Sequence, residues 1–354
     1  MKLLARLRRN KSAEVISGDI ANREVEGLSQ SQIVRRRFLR HRGAMISLIV
    51  LGVVILFVFS ALDLSIGFLK YHGWWKYSIT DQPDIRTNGC PPGLGGCPTF
   101  SLNPFGAFGL GNHPFGQDDI GRDYFALVMR GAQRSISVMF IIGIVGGAIG
   151  TTIGAISGFY RGWVDSVLMR FTDFIITIPS IIIGSVIGYH FGNLGVTFLA
   201  LYLGLFAWTG LSRLVRGEFL TLREREFVDA AKVAGASNRR IIFKHILPNA
   251  VGVIIVSVTL IMSGAILLET ALSYLGFGVV APDVSLGLLI SQYQDSFTTR
   301  PWLFWYPGIF IILIALTVNF IGDGLRDAFD PRQRRRISRK EKAAERKVAA
   351  ERQG

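Results

Sequence analysis

Glu226-Phe-Val-Asp-Ala-Ala-Lys-Val-Ala-Gly235, followed by Ser237-Asn-Arg-Arg-Ile-Ile-Phe-Lys-His-Ile-Leu-Pro248, is the stretch on which the fold turns. Its first part predicts a short helix closed by Gly235. Phe227, Ala230, Ala231 and Ala234 fall at i, i+3, i+4 and i+7, a narrow stripe of mostly small apolar side chains. Asp229 and Lys232 flank it. A stripe of Ala rather than Leu suits close docking against another protein better than burial in a thick core. Ser237 is an N-cap residue for a second helix over 238–246. Pro248 fits the first turn of the apolar helix that follows, where its missing N–H costs little.

On either side of this stretch lie runs long enough to cross a bilayer, which takes roughly 20 apolar residues. Backbone groups inside lipid are satisfied within the segment, so each run is expected to be helical. Six are legible: 44–62, 135–159, 174–191, 195–211, 250–275 and 305–321. The second carries Gly143, Gly146, Gly147, Gly150 and Gly154, small residues that let helices approach closely. The third contains Pro179, which predicts a kink. The expected fold is an all-α integral membrane domain of six helices over 44–325. It has a polar tail over 1–43, a long loop over 63–134, a basic loop over 212–248 and a basic tail over 326–354.

Basic residues sort by loop. Arg35, Arg36, Arg37, Arg40 and Arg42 precede the first run, and Arg161 and Arg170 lie in the 159–173 loop. The 212–248 loop adds Arg213, Arg216, Arg223, Arg225, Lys232, Arg239, Arg240 and Lys244, and the tail begins with Arg326, Arg332, Arg334, Arg335 and Arg336. The alternate loops are poor in base: 276–304 has only Arg300. The positive-inside rule puts both termini in the cytoplasm, in a multi-pass cell-membrane protein. Met1 to Asn10 mixes leucines with Lys and Arg, either a surface-lying segment on anionic lipid or a solvated tail. The first 43 residues lack the apolar stretch and cleavage site of a signal peptide.

Lys+Arg 39 against Asp+Glu 25 gives +14, a balance that in a soluble chain would point to nucleic acid. Here the base clusters beside apolar runs, half of the residues are hydrophobic and only 18% are charged, so a membrane protein is expected and a nucleic-acid partner is not. Glu269, inside the fifth run, either faces a translocation path or braces a helix contact; Asn319 in the sixth run is a further candidate for either role. Asp323, at the cytoplasmic end of the sixth run, is expected to anchor that end at the membrane interface rather than to serve the pathway. Cys90 and Cys97, in a Gly/Pro-rich loop on the oxidising side, pair as a short disulfide or stand as two thiols. His113, Asp118, Asp119 and Asp123 are expected to make structural hydrogen bonds rather than a metal site. Tyr71, Trp74, Trp75, Tyr77, Trp302, Trp305 and Tyr306 suit an interfacial aromatic belt. No nucleophile–base arrangement stands out.

Asp229-Ala-Ala, Gly235 and Leu247-Pro248 resemble the cytoplasmic loop motif of ABC importer permeases: Glu-Ala-Ala, three residues, Gly, nine residues, Ile-x-Leu-Pro. Asp229 stands where that motif has Glu and His245 where it has Ile. The latter is similar to the peptide-transporter branch. His113-Pro-Phe-Gly116, Asp118-Asp-Ile-Gly-Arg-Asp123, Gly162-Trp-Val-Asp165, Ile178-Pro-Ser180, Leu272-Ser-Tyr-Leu-Gly-Phe-Gly278 and Gly322-Asp-Gly-Leu-Arg-Asp327 resemble the same branch, the C-type permease of dipeptide and oligopeptide importers.

The resemblance implies a type I importer permease fold and a role as half of a translocation pathway for peptides. It implies as partners a second homologous permease, two ATPases that use ATP and Mg, and an extracytoplasmic peptide-binding protein. It places ATPase coupling on Glu226, Phe227, Asp229, Ala230, Ala231, Ala234, Gly235, Arg239, Arg240, Leu247 and Pro248. The chain has no Gly-x4-Gly-Lys-Ser/Thr loop, so ATP is not expected to bind here and the chain is not expected to be an enzyme. An ion-driven carrier and a membrane-embedded enzyme are the competing readings; the first leaves the 212–248 loop without a role, and the second lacks a constellation.

Overall fold

The computed structural model describes residues 30–66, 69–88, 90–91, 94–99 and 111–329. The readings of Met1 to Asn10 and of the tail after Pro331 fall outside these residues. The chain divides into two compact units, Gly43–Arg326 and a smaller one of Met1–Arg42 with Asp327–Gly354. In the smaller unit, α1 (Gln30–Arg40) carries four of the arginines, and His41 lies 3.4 Å from Asp327.

The larger unit is a helical bundle. Its elements are α2 (Arg42–Ala61), a ribbon of β1 (Leu64–Ile66) and β2 (Leu69–Tyr71), α3 (Tyr124–Tyr160), α4 (Gly162–Ile176), α5 (Ser180–Phe191), α6 (Val196–Gly204), α7 (Thr209–Arg223), α8 (Glu226–Val233), α9 (Asn238–Tyr274), α10 (Leu286–Tyr293) and α11 (Trp302–Phe329). Among the described residues, five helices are long and apolar enough to cross a membrane: α2, α3, α6 with α7, α9 and α11. Counting the bent pair α4–α5 as one span makes six.

Several boundaries differ from expectation; the last helix, read as 305–321, extends over Trp302–Phe329, and the larger differences have identifiable causes. The second span does not begin at 135: α3 runs 37 residues from Tyr124, about 55 Å against a hydrocarbon core of about 30 Å. Asp123 caps it, accepting from the Ala126 N–H at 3.0 Å. The arginines that interrupt the apolar run are held in place. Arg130 donates to Gln133 Oε1 (2.9 Å) and the Asp63 carbonyl (3.2 Å), and Arg134 lies 3.1 Å from Asp283.

The third span is broken rather than kinked. The 159–173 loop is largely α4, which ends at Ile176, and α5 leaves it at 74°. Pro179 has an extended ψ of 129° and cannot donate the bond that would join the two helices. The 212–248 loop keeps little free chain, because α7 runs on to Arg223 and α9 starts at Asn238. The second short helix, expected over 238–246, is therefore continuous with the fifth span. The junction is a π-helical stretch, Ile241–Ile246, in which the Leu247 N–H bonds the Ile242 carbonyl. Asn249 Nδ2 takes the His245 carbonyl at 2.6 Å, and Pro248 falls in the first turn of the α-helical part, as expected.

Three apolar clusters share one helix. Leu127, Ile136 and Met139 of α3 pack with α2, α10 and α11; Val138 and Ile142 with α5, α6 and α9; Ala155 and Phe159 with α7, α8 and α9. The glycines of α3 give the close approach that their spacing predicts. A Cβ on Gly154 would lie 2.5 Å from the Ser212 carbonyl oxygen, and one on Gly147 would lie 2.8 Å from a Val258 methyl. Gly154→Leu is expected to cost about 2–3 kcal/mol by overpacking the α3–α7 contact. Thermal unfolding in detergent measures it, and an unchanged midpoint would refute close packing there.

Beyond the β-ribbon, the described residues 72–88 and 111–123 pack over the start of α3. The Asp123 carboxylate accepts from Trp75 Nε1 (2.7 Å) and lies 2.9 Å from His113 Nδ1, and Tyr77 stacks on that imidazole. Burial pushes the Asp123 carboxyl up, against the pull of its His113, Ala126 and Trp75 hydrogen bonds. Asp118 accepts from the Ile120 and Arg122 N–H groups, the Arg122 guanidinium and the Tyr293 hydroxyl. These carboxylates are spent on the protein itself. Asp119 pairs with Arg300 at 2.5 Å. Trp75 packs on Phe125 and Tyr306 stacks on Phe115, so these two rings serve the core rather than a belt; Trp74 and Trp305 are exposed. Cys90 and Cys97 form a disulfide with Cα atoms 5.7 Å apart.

Candidate functional site

The eight residues of α8 present two different faces. Gly235, at φ +77°, closes the helix: its N–H bonds the Lys232 carbonyl (2.9 Å) and the Ala236 N–H bonds the Ala231 carbonyl (3.0 Å). This is the paired bonding of a Schellman motif, which needs a left-handed residue. A Cβ at Gly235 would meet nothing within 4 Å, so backbone conformation alone requires glycine there. Ser237 Oγ then accepts from the Arg240 N–H at 3.4 Å and starts α9.

Val228 and Ala231 face inward. They join Ala155 and Phe159 of α3, Val215 and Phe219 of α7, and Ile241, Ile246 and Ala250 of α9 in one cluster. Phe227, Ala230, Val233 and Ala234 face outward, Val233 being 90% exposed. The stripe expected from sequence is therefore split: Ala231 belongs to the core and Val233 to the surface. At 100° per residue Ala231 lies about 40° from Phe227 and about 60° from Val228, so angle alone leaves it on the border of the two faces, and the helices packed beside it decide which one it joins. Glu226, Asp229, Arg239 and Arg240 are exposed around the outward face, and Asp229 pairs with Lys232 at 2.9 Å. Leu247 is half-buried and Pro248 exposed at the α9 junction.

Glu269 sits elsewhere, wholly buried in α9. Ser135 of α3 donates to its Oε2 at 2.9 Å and Ser273 to its Oε1 at 2.7 Å. The cage extends outward. Ser273 Oγ also accepts the Val279 N–H (3.1 Å) and lies 3.2 Å from Ser285 Oγ, and Ser135 Oγ accepts the Leu286 N–H at 3.4 Å. All three serines are buried. The carboxylate thus ties α3 and α9 to the segment that enters α10. Of the two roles open in the sequence, these contacts favour the bracing one, with the carboxylate enclosed among the described residues. Sequence reasoning passed over Ser135, Ser273 and Ser285, whose one signal is a hydroxyl inside or beside an apolar run. Asn319 is half-buried on α11.

Comparison with known proteins fixes the class. The family described as the binding-protein-dependent transport system inner membrane component matches residues 150–335, just over half of the chain. The chain belongs to that family. Residues 29–85 of this permease match the N-terminal TM domain of oligopeptide transport permease C. It is 39% identical over 310 residues to the oligopeptide transport system permease protein OppC of Mycobacterium tuberculosis, covering 87% of this chain and 97% of that one. It is 36% identical over 322 residues to the protein of the same name from Haemophilus influenzae, covering 91% and 94%. The permease is thus a membrane-embedded component of an ABC importer, whose ATP is hydrolysed by separate subunits.

Proposed function

We propose that this permease forms half of the translocation pathway of a peptide importer and is driven through α8. One observation carries the coupling role. α8 exposes Phe227, Ala230, Val233 and Ala234 while its other face is cemented, through Val228 and Ala231, into the core shared by α3, α7 and α9. A surface so mounted takes up a partner's movement and passes it to three helices at once. The partners are two ATPases using ATP and Mg, a second homologous permease and an extracytoplasmic peptide-binding protein. The relatives' names support peptides as the substrate. The basic loops support placing α8 and both termini in the cytoplasm.

Reconstitution of the permease with its partners tests this reading. Peptide uptake into vesicles is expected to need ATP and the binding protein, to stop with vanadate and to continue under ionophores. Uptake that ionophores abolish and vanadate spares would overturn it.

A further inference from the structure

The helix that begins the broken span is tied to α7 by a row of charges, beside the stacking of Phe171 on Trp208. Along α4, Trp163, Val167, Phe171 and Phe174 are exposed, and only Thr172 and Ile175 are buried. Its side-chain bonds to α7 are charged ones. Arg216 reaches Asp165 with two parallel bonds, Nε to Oδ1 and Nη2 to Oδ2, each 2.6 Å. Asp165 also accepts from the Ser157 hydroxyl of α3. Farther along, Arg213 lies 2.5 Å from Asp173; just before α4, Arg161 lies 2.5 Å from Glu224. The rungs run 161–224, 165–216 and 173–213, the order expected of two antiparallel helices zipped by alternate charges.

The two ends of this seam lead to different places. α7 passes into α8 through Glu224 and Arg225 alone. α4 passes through the break at Pro179 into α5, where a Cβ on Gly188 would meet the Phe277 carbonyl oxygen and one on Gly184 would lie 2.5 Å from Leu272. So α5 is wedged against the C-terminal end of α9 and the segment after it, while α4 is fastened to α7.

We propose that the charge seam is the linkage that passes α8 movement to the broken span, with Asp165, Asp173, Arg213 and Arg216 as positioning residues for coupled transport. The inference rests on the coupling role given to α8. Motion delivered to α7 pulls α4 through the rungs, and the 74° break lets α4 swing while α5 stays wedged. Partly exposed ion pairs suit this work, because each contributes little alone and can part and re-form within a transport cycle.

The test uses the whole transporter in proteoliposomes and reads peptide imported per ATP hydrolysed. Asp173→Arg and Arg213→Asp, each alone, are expected to lower that ratio about fivefold, the scale of a partly exposed pair turned repulsive, with ATP hydrolysis retained. The double variant Asp173→Arg/Arg213→Asp restores the rung in reverse and is expected to return the ratio to within about twofold of wild type. If a single reversal fails to insert, Asp173→Asn removes the charge at constant size and is expected to lower the ratio about threefold. A double variant no better than the singles, or singles with an unchanged ratio, overturns the seam. Ala230→Arg in the same assay separates this from the reading beneath it: normal transport by that variant defeats the α8 role whatever the seam variants do.

Discussion

Glu269→Ala is expected to destabilise the permease by about 3–5 kcal/mol. Two buried hydroxyls, Ser135 and Ser273, donate to this carboxylate. Without it their protons point at a void, and each unsatisfied buried hydroxyl costs about 1–3 kcal/mol. The loss spreads, because Ser135 and Ser273 also accept the backbone N–H groups of Leu286 and Val279. Glu269→Gln keeps one acceptor oxygen and the volume, and hydroxyls rotate to suit an amide, so it is expected to cost only about 1 kcal/mol. Thermal unfolding of the purified chain in detergent measures both. Uptake then separates bracing from a pathway role. Bracing predicts that Glu269→Gln slows every peptide alike, whereas a residue touching substrate would rank peptides by charge. Equal stability of the alanine variant and wild type would remove Glu269 from the frame of the bundle.

Ala230→Arg is expected to reduce ATP-driven uptake at least about tenfold, by placing a long charged side chain in the middle of a small-residue docking face. The folded chain itself tolerates the change, because Ala230 is exposed and Arg is a good helix former. Insertion and melting behaviour are therefore expected to stay as in wild type. The neighbouring Ala231→Arg is the opposite case. It drives a charge into the cluster of Val215, Phe219 and Ile246 and is expected to prevent that cluster from closing. Two adjacent substitutions thus report on different events, assembly with a partner and folding of the chain. Co-purification of the ATPases with each variant, beside its unfolding curve, gives both readings. An Ala230→Arg chain that carries peptide at the normal rate would show that the outward face of α8 meets no partner.

The spans were legible because lipid demands long uninterrupted apolar runs, and five of the helices that pass the length test overlap runs read from sequence. Their ends were not. Arg130 and Arg134 break the apolar signal, yet the partners that let α3 continue lie far away in sequence, at Asp63 and Asp283. Pro179 announced a disturbance, but whether a proline bends a helix or ends it depends on what the following segment packs against. The Gly235 turn and the Ser237 cap were readable because both are local backbone chemistry. The inward turn of Ala231 and the serine cage were not, since they are decided by which helices arrive on either side. The motif quoted for the family covers Asp229, Ala230 and Ala231 and says nothing of Val228, which with Ala231 fastens α8 to the core.

The central position of α3 also bears on how the chain is made. Its glycine-lined sides receive Ser212 of α7 and Val258 and Met262 of α9, and its Ser135 waits for Glu269. Those partners leave the ribosome long after α3 does. Until the fifth span is threaded into the bilayer, the Gly143 and Gly147 side of the middle helix has no neighbour from α9 and Ser135 has no carboxylate to meet. A nascent chain halted before residue 250 would therefore carry a surface that the finished subunit never shows, one by which membrane proteases could tell an incomplete product from a complete one.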